Sequence, residues 1–367
     1  MQFTINRENF LAVLQDVCNV VERNQTLPIL SNILIKLANN QLTCIATDLE
    51  IEITSSIEIE SSEVFQFTLP ARKILDLIKA LPKEIPVTIS VDDKKAIVST
   101  ASSRYRFSLL LDSEFPAINK DIKVFTSKVE LPANTFKELI ESTQFCMAVQ
   151  DIRYYLIGLF IRFSANKILA VGTDGHRLGK YELTTESTLN DFELLLPRKS
   201  VLEISRVLPK SDKIVTIESN AKLFSLKFDN YIFISKLIDS DYPEYQRVYP
   251  KLETNLLTVN RLLLKEALSR ALILTNRKVN AVRLKMSLNT LDIHTQNPEQ
   301  EEAKERLEVE YNGTNLEMGF NISYFIDILN HLHSEQIEIH LADADSSCII
   351  KDQDNTFSEY ILMPIKF

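Results

Sequence analysis

The sequence predicts an α+β protein built three times over, each copy carrying two helices on antiparallel sheets. Three observations lead there: a helical segment recurs at a constant offset, a second strand-then-helix segment recurs with it, and the stretches between read as short strands. Leu69–Lys83 aligns with Leu196–Lys210 without a gap at offset 127; Leu-Pro opens both and Leu-Pro-Lys closes both. A third copy, Phe320–Leu332, keeps Phe325, Ile326, Asp327, Ile328 and Leu332 opposite Val201, Leu202, Glu203, Ile204 and Leu208. In the other triplet, Phe3-Thr-Ile-Asn-Arg with Phe10, Val13 and Leu14 matches Val129 onward at offset 126 and Leu257 onward at offset 254. Two triplets at agreeing offsets define a repeat far longer than a solenoid unit and the size of a domain.

Taken in order, the first helix is marked by Phe10, Val13, Leu14 and Val17 and the second by Ile74, Leu75, Ile78 and Leu81, both apolar stripes at helical spacing. Ile33–Leu37, Leu42–Ala46, Val87–Val91 and Tyr105–Leu109 are short runs rich in β-branched residues and leucine, the pattern of strands. Boundaries are expected near Phe125–Lys128 and Tyr249–Thr254, dividing the chain into domains 1–125, 126–250 and 251–367. Each domain is then two helices covering antiparallel sheet.

Composition removes several function classes. The chain has 367 residues, 45% hydrophobic and 25% charged, which suits globular domains with real cores. Only 6 glycines occur where ordinary usage gives about 26, and neither a dinucleotide fingerprint nor a phosphate-cradling loop is present. Five histidines include no HExxH, and Cys18, Cys44, Cys146 and Cys348 lack metal or disulfide spacing. No apolar run reaches membrane-spanning length, and the N-terminus lacks a secretory pattern, so a reducing cytoplasmic home with no membrane partner is expected. The net charge of −9 opposes nonspecific adhesion to nucleic acid, except through one locally basic face.

Such a face is visible at Arg72, Lys73, Lys79 and Lys83, at Arg198, Lys199, Arg206 and Lys210, and at Arg261, Lys265 and Arg270. These are either solvated helix faces or a surface for phosphates met without sequence reading. Base-reading or stacking side chains do not accompany them. Asp174 beside His176 lacks a positioned nucleophile, so no catalytic residue is assigned. Asp48, Glu50 and Glu52 alternate with Leu49, Ile51 and Ile53 and read as the solvated side of a strand rather than a metal site. Neither a metal nor another cofactor is expected.

Several motifs, taken together and in order, carry a resemblance along the whole chain. They are Thr26-Leu-Pro-Ile-Leu, Ala46-Thr-Asp-Leu-Glu, Phe115-Pro, Gln150-Asp-Ile-Arg-Tyr-Tyr-Leu156, Thr173-Asp-Gly-His-Arg-Leu178, Pro197-Arg-Lys, Asp241-Tyr-Pro-Glu-Tyr, Asn297-Pro-Glu-Gln-Glu-Glu and Met363-Pro-Ile. With them the sequence resembles the bacterial DNA polymerase III beta subunits, the sliding clamps. The resemblance implies the DNA clamp fold and a head-to-tail homodimeric ring around double-stranded DNA, held without regard to sequence. It implies a non-catalytic processivity factor in DNA replication, part of a nucleotidyltransferase assembly. The implied partners are the replicative polymerase alpha subunit, the clamp loader delta subunit, translesion polymerases and other clamp-motif proteins. Twelve helices spaced at roughly 8–10 Å enclose a bore of roughly 20–28 Å, wide enough for a duplex.

The same resemblance implies three sets of residues. A partner-peptide pocket falls on Leu156, Thr173, Gly175, His176, Arg177, Leu178, Pro243, Arg247, Val248, Tyr324, Ser347, Ile361, Met363, Pro364, Ile365 and Lys366. Its aliphatic and Met walls bury apolar surface, while His176 and Arg177 are expected to fix a backbone or carboxyl group. Gly158, Gly172, Gly175 and Gly179 around it point to tightly turned backbone, and Asp345 replaces an apolar rim residue. DNA contacts fall on Arg23, Arg72, Lys73, Gln150, Arg153, Tyr155, Arg198 and Lys199, with Arg23 one position out of register. The dimer interface falls on Arg104, Arg106, Phe107 and Leu109 facing Ile273, Leu274, Glu299, Glu301 and Glu302, opposite charges around an apolar centre. Two rivals stay open: a protein-only scaffold, and a nuclease using Asp48, Glu50 and Glu52.

Overall fold

The structure, a computed structural model, describes residues 1–21, 27–92, 94–116, 118, 124–185, 190–250, 255–276 and 279–366. The first repeat runs β1 (Gln2–Asn6), α1 (Arg7–Val17), β2 (Asn32–Ala38), β3 (Gln41–Thr47), β4 (Ile51–Glu58), β5 (Phe65–Pro70), α2 (Ala71–Ala80), β6 (Pro86–Val91), β7 (Lys95–Ser99) and β8 (Arg104–Ser108). The second repeats that order as β9 (Ser127–Pro132), α3 (Ala133–Glu141), β10 (Gly158–Ser164), β11 (Lys167–Thr173), β12 (Arg177–Thr184), β13 (Phe192–Pro197), α4 (Arg198–Val207), β14 (Ile214–Ser219), β15 (Leu223–Phe228) and β16 (Tyr231–Lys236). The third is β17 (Asn255–Asn260), α5 (Arg261–Leu272), β18 (Ala281–Ser287), β19 (Thr290–Gln296), β20 (Glu302–Glu308), a two-residue β21 (Glu310–Tyr311), β22 (Leu316–Asn321), α6 (Ile322–His331), β23 (Gln336–Leu341), β24 (Cys348–Asp352) and β25 (Ser358–Leu362).

The chain packs into two compact units, Met1–Asn134 with Arg206–Leu237 and Thr135–Ser205 with Ile238–Phe367. The first unit holds a four-stranded sheet, β1-β6-β7-β8, and an eight-stranded one, β5-β2-β3-β4-β16-β15-β14-β9. The second holds β20-β19-β18-β22 and the nine-stranded β13-β10-β11-β12-β25-β24-β23-β17-β21. The central repeat is thus shared, because its last strand pairs backward with β4 while its β12 pairs forward with β25.

Within each unit the apolar helix stripes become core. Phe10, Val13, Leu14 and Val17 of α1 are buried, as are Leu264, Ala267, Leu268 and Ala271 of α5 with Phe325, Ile328 and Leu329 of α6. Asparagine caps three helices: Asn6 accepts from the Glu8 amide at 2.9 Å, Asn260 from Leu262 and Leu263 at 3.1 Å, and Asn321 from Ser323 and Tyr324 at 3.0 and 3.3 Å.

The C-terminal end of the second helix is met by a device that recurs in all three repeats. Ile78, Ser205 and Leu329 each lie three residues before the leucine that ends the second helical segment. Their carbonyls accept from Arg7 Nε at 2.9 Å, Lys137 Nζ at 2.8 Å and Arg261 Nη1 at 3.2 Å. A cation at a helix C-terminus satisfies orphan carbonyls and opposes the negative end of the dipole. Lys137 and Arg261 therefore serve the interior of their repeat, and Arg270 pairs with Glu305 through two bonds of 2.8 Å. Two of the three cations expected on the basic face of α5, Arg261 and Arg270, are thus engaged with the protein itself.

Candidate functional site

The second unit concentrates the expected groove residues around one turn. Leaving β11, the Thr173 hydroxyl donates to the Arg177 carbonyl at 2.6 Å and accepts from the Gly175 amide at 3.1 Å. Asp174 Oδ1 accepts from the amides of His176 and Arg177 at 2.9 Å each. Gly175 sits at φ 87°, where a side chain is strained, and a Cβ there would lie 3.3 Å from the Arg153 guanidinium. These bonds present His176 to solvent, its ring 6.4 Å from that of Tyr324.

Arg177 is held by groups of its own chain. Its side chain is only 10% exposed and pairs with Asp174 at 3.2 Å and Asp327 at 2.6 Å. Its guanidinium lies 4.4 Å from the Tyr324 ring centre and 5.4 Å from that of Phe145. That guanidinium is engaged with its own chain, whereas His176 is exposed.

Below the turn, Leu178 and Ile361 are buried with Phe160, Leu169, Val171 and Leu195, and Tyr155, Tyr242 and Val248 pack on this cluster half-buried. Tyr242 stacks on Phe160 at 4.8 Å and donates to the Val171 carbonyl at 3.2 Å. The C-terminal segment is tied on by two backbone bonds, Met363 N to His176 O at 2.9 Å and Ile365 N to Gly319 O at 2.7 Å. Met363, Pro364 and Ile365 stay half-exposed. Leu156 is buried in the turn Tyr154–Ile157, Ser347 is half-buried before β24, and Pro243 and Arg247 are exposed, the latter paired with Glu244. Asp345, where an apolar rim was expected, pairs with Lys366 at 3.0 Å and gives the rim an exposed ion pair.

Two expectations need correction. Among the four clustered glycines only Gly175 has left-handed backbone; Gly158, Gly172 and Gly179 lie in strands with neighbours packed closely beside them. A Cβ on Gly172, for example, would sit 2.6 Å from the Thr143 carbonyl oxygen. Glu52 is not solvated: it is 6% exposed, accepts from the Ile118 amide at 2.9 Å, and burial raises its pKa. The ring of Tyr155 packs on the apolar cluster, whereas the side chains open to solvent are Tyr154 at 69%, Ile152 at 93% and Val149 at 79% exposure. A 3-10 turn, Tyr154–Ile157, carries both tyrosines.

Gln150 and Arg153 are exposed on that same loop, and Arg153 holds Asp151 through bonds of 3.0 and 2.9 Å. Those bonds pull the Asp151 carboxyl down to about 2. Lys73 and Lys199 are exposed at the starts of α2 and α4. Their neighbours are partly committed: Arg72 donates to the Val21 carbonyl at 2.9 Å and Arg198 to the Met147 carbonyl at 3.2 Å, and burial lowers the Arg198 pKa. Arg23 lies outside the described residues.

The residues expected at a subunit contact lie on or just after edge strand β8, at or just before edge strand β20, and just after α5. Arg104 and Arg106 are exposed on β8, with Phe107 and Leu109 half-buried. Glu299, Glu301 and Glu302 are exposed at the start of β20, Ile273 is 78% exposed and Leu274 half-buried. Among the described residues no cluster of three or more His, Cys, Asp or Glu is placed to hold a metal, and no helix is long and apolar enough to cross a membrane.

Comparison with known proteins agrees with this architecture. Residues 1–119, 130–244 and 246–366 match the N-terminal, central and C-terminal domains of the DNA polymerase III beta subunit. The chain is 39% identical to the beta sliding clamp of Pseudomonas putida over 368 residues and 38% identical to that of Escherichia coli over 369, covering all of both proteins in each case. The crystal structure of DNA polymerase III subunit beta from Pseudomonas aeruginosa superposes with a TM-score of 0.97 at 38% identity over the whole of both chains. A P. aeruginosa sliding clamp bound to griselimycin superposes over the whole of both chains with 0.96 at 38% identity. The three domains, their order and the full-length match place this chain in the DNA polymerase III beta subunit family, the beta sliding clamps.

Proposed function

We propose that this non-catalytic clamp works as a ring of two chains, closed head to tail around duplex DNA. On this reading it holds polymerases and loading proteins by extended apolar peptides in the groove of the second unit. The observation that carries the proposal is a pairing rule repeated inside the chain. The third strand after the first helix of one repeat pairs with the last strand of the next: β4 with β16, then β12 with β25. By that rule β20 awaits a partner, β8 is a last strand without one, and both are sheet edges among the described residues. A second copy supplies each missing strand, and two such joints close a heterologous ring. Arg104 and Arg106 on one edge complement Glu299, Glu301 and Glu302 beside the other, around Phe107, Ile273 and Leu274.

On this reading the repeats 1–125, 126–250 and 251–367 are the segments of the ring. Lys73, Lys199, Gln150, Arg153 and the exposed Tyr154 meet phosphates and sugars without reading bases. The ring need not grip, since topology holds it and effective concentration keeps a tethered polymerase at its template. The proposed peptide donors are the replicative polymerase alpha subunit, the clamp loader delta subunit and translesion polymerases. On this reading the protein works in the cytoplasm, and its four buried free cysteines suit a reducing compartment.

Two experiments test the reading. Protein loaded on closed circular DNA should survive a high-salt wash and be released when the circle is linearised; equal release from both forms contradicts encirclement. Met363→Ala trims a half-exposed groove side chain but keeps the backbone bond to His176. It should weaken peptide binding severalfold while native mass stays unchanged; unaltered binding would remove Met363 from the groove.

A further inference from the structure

The first unit contains a second turn built by the same hydrogen bonds. Thr47 Oγ1 donates to the Ile51 carbonyl at 2.7 Å and accepts from the Leu49 amide at 3.0 Å, and Asp48 Oδ1 accepts from the Glu50 and Ile51 amides at 2.9 and 2.7 Å. Turn 47–51 therefore matches turn 173–177 bond for bond, 126 residues earlier. The next strand is tied on in the same way, Lys236 N to Glu50 O at 2.9 Å beside Met363 N to His176 O at 2.9 Å. Leu34, Ile45 and Phe115 stand below it where Phe160, Val171 and Tyr242 stand below the groove turn.

Two side chains differ in a way that matters to a ligand. Leu49 takes the place of Gly175 at φ 79°, a region in which a leucine is strained. Its side chain packs half-buried on the cluster of Ile29, Leu30, Leu34 and Phe115, whereas Gly175 adds no side chain and has the Arg153 guanidinium beside it. Glu52 takes the place of Leu178, and its buried carboxylate holds the Ile118 amide at 2.9 Å where the second unit offers apolar floor. Strain kept at one residue calls for a compensating role, and here the role is a plug.

We propose that the first unit carries a second copy of the peptide groove, held shut by Leu49 and Glu52, so that each chain offers one site for an extended apolar peptide instead of two. The inference rests on turn 173–177 being the open groove. Its test is calorimetric titration of the full-length protein with griselimycin, the ligand found on a relative. Wild type should take one molecule per chain, and Leu49→Gly/Glu52→Leu a second, more weakly bound one. Leu49→Gly alone relieves the strained backbone, keeps the Glu52 bond, and should also admit a second molecule with lower affinity. One site per chain in folded forms of both variants overturns the plug, and two sites in wild type overturn the closure. Binding lost on Gly175→Leu but unaffected by either first-unit change supports the groove and sinks only its copy. No binding to wild type overturns the groove reading itself.

Discussion

Ile51 and Arg177 hold the same place, each opening the strand that leaves its turn, yet they stabilise their units by opposite means. Ile51 is 1% exposed and contributes by apolar burial. Arg177 is nearly as enclosed but carries a charge, balanced by Asp174 and Asp327 and faced by two aromatic rings. Backbone geometry at the two positions is set by the preceding Thr-Asp pair and is indifferent to the difference. One backbone turn can thus carry an apolar residue in the first unit and a balanced charge in the second, because side chains, not the fold, decide which.

Truncation should separate the two means most strongly. Arg177→Ala leaves the largely buried Asp174 without its cation and is expected to cost about 4 kcal/mol, read by urea denaturation. Ile51→Ala leaves a cavity and should cost about 3 kcal/mol. A penalty for Arg177→Ala below that for an exposed ion pair would mean that its aromatic and carboxylate contacts contribute little. A smaller pair of effects compares the helix starts: Asn6→Ala and Asn260→Ala each remove a capping acceptor and should cost about 1 kcal/mol in the same assay.

The smallest expected effect concerns pH and belongs to the first unit alone. Burial raises the Glu52 carboxyl, so the folded chain holds this proton more tightly than the unfolded chain does. The contribution of that group therefore falls as pH rises from the ordinary carboxylate value through the raised folded one, and returns on acidification. Glu52→Gln keeps an acceptor for Ile118 and removes the titration. Its unfolding midpoint should exceed wild type near neutral pH and converge on it in acid; parallel profiles would show that Glu52 is not the titrating group.

Much of this was legible in the chain. The gapless match at offset 127 located α2 and α4, and the apolar runs at Ile33–Leu37, Leu42–Ala46 and Val87–Val91 fall inside β2, β3 and β6. Periodicity reports which face is apolar, and that information is local. It could not tell that Arg7, Lys137 and Arg261 cap carbonyls about 70 residues away in sequence, since an arginine on a helix looks the same whether it faces solvent or another helix end. A trace did exist: Asn6-Arg7 and Asn260-Arg261 recur at offset 254, a cap and a cation kept together. Glu52 was misread because alternation assigns a face but not what later covers it, here Ile118.

The central claim is that one strand-pairing rule, applied twice within the chain, is applied a third time between chains. Light scattering at micromolar concentration tests it most directly. The account predicts twice the 42.1 kDa chain mass, falling to a single chain when Arg104 and Arg106 are both changed to Glu. A wild-type mass of 42.1 kDa at that concentration, or a double variant still at twice that value, would contradict pairing of β8 with β20 as the joint that closes the ring.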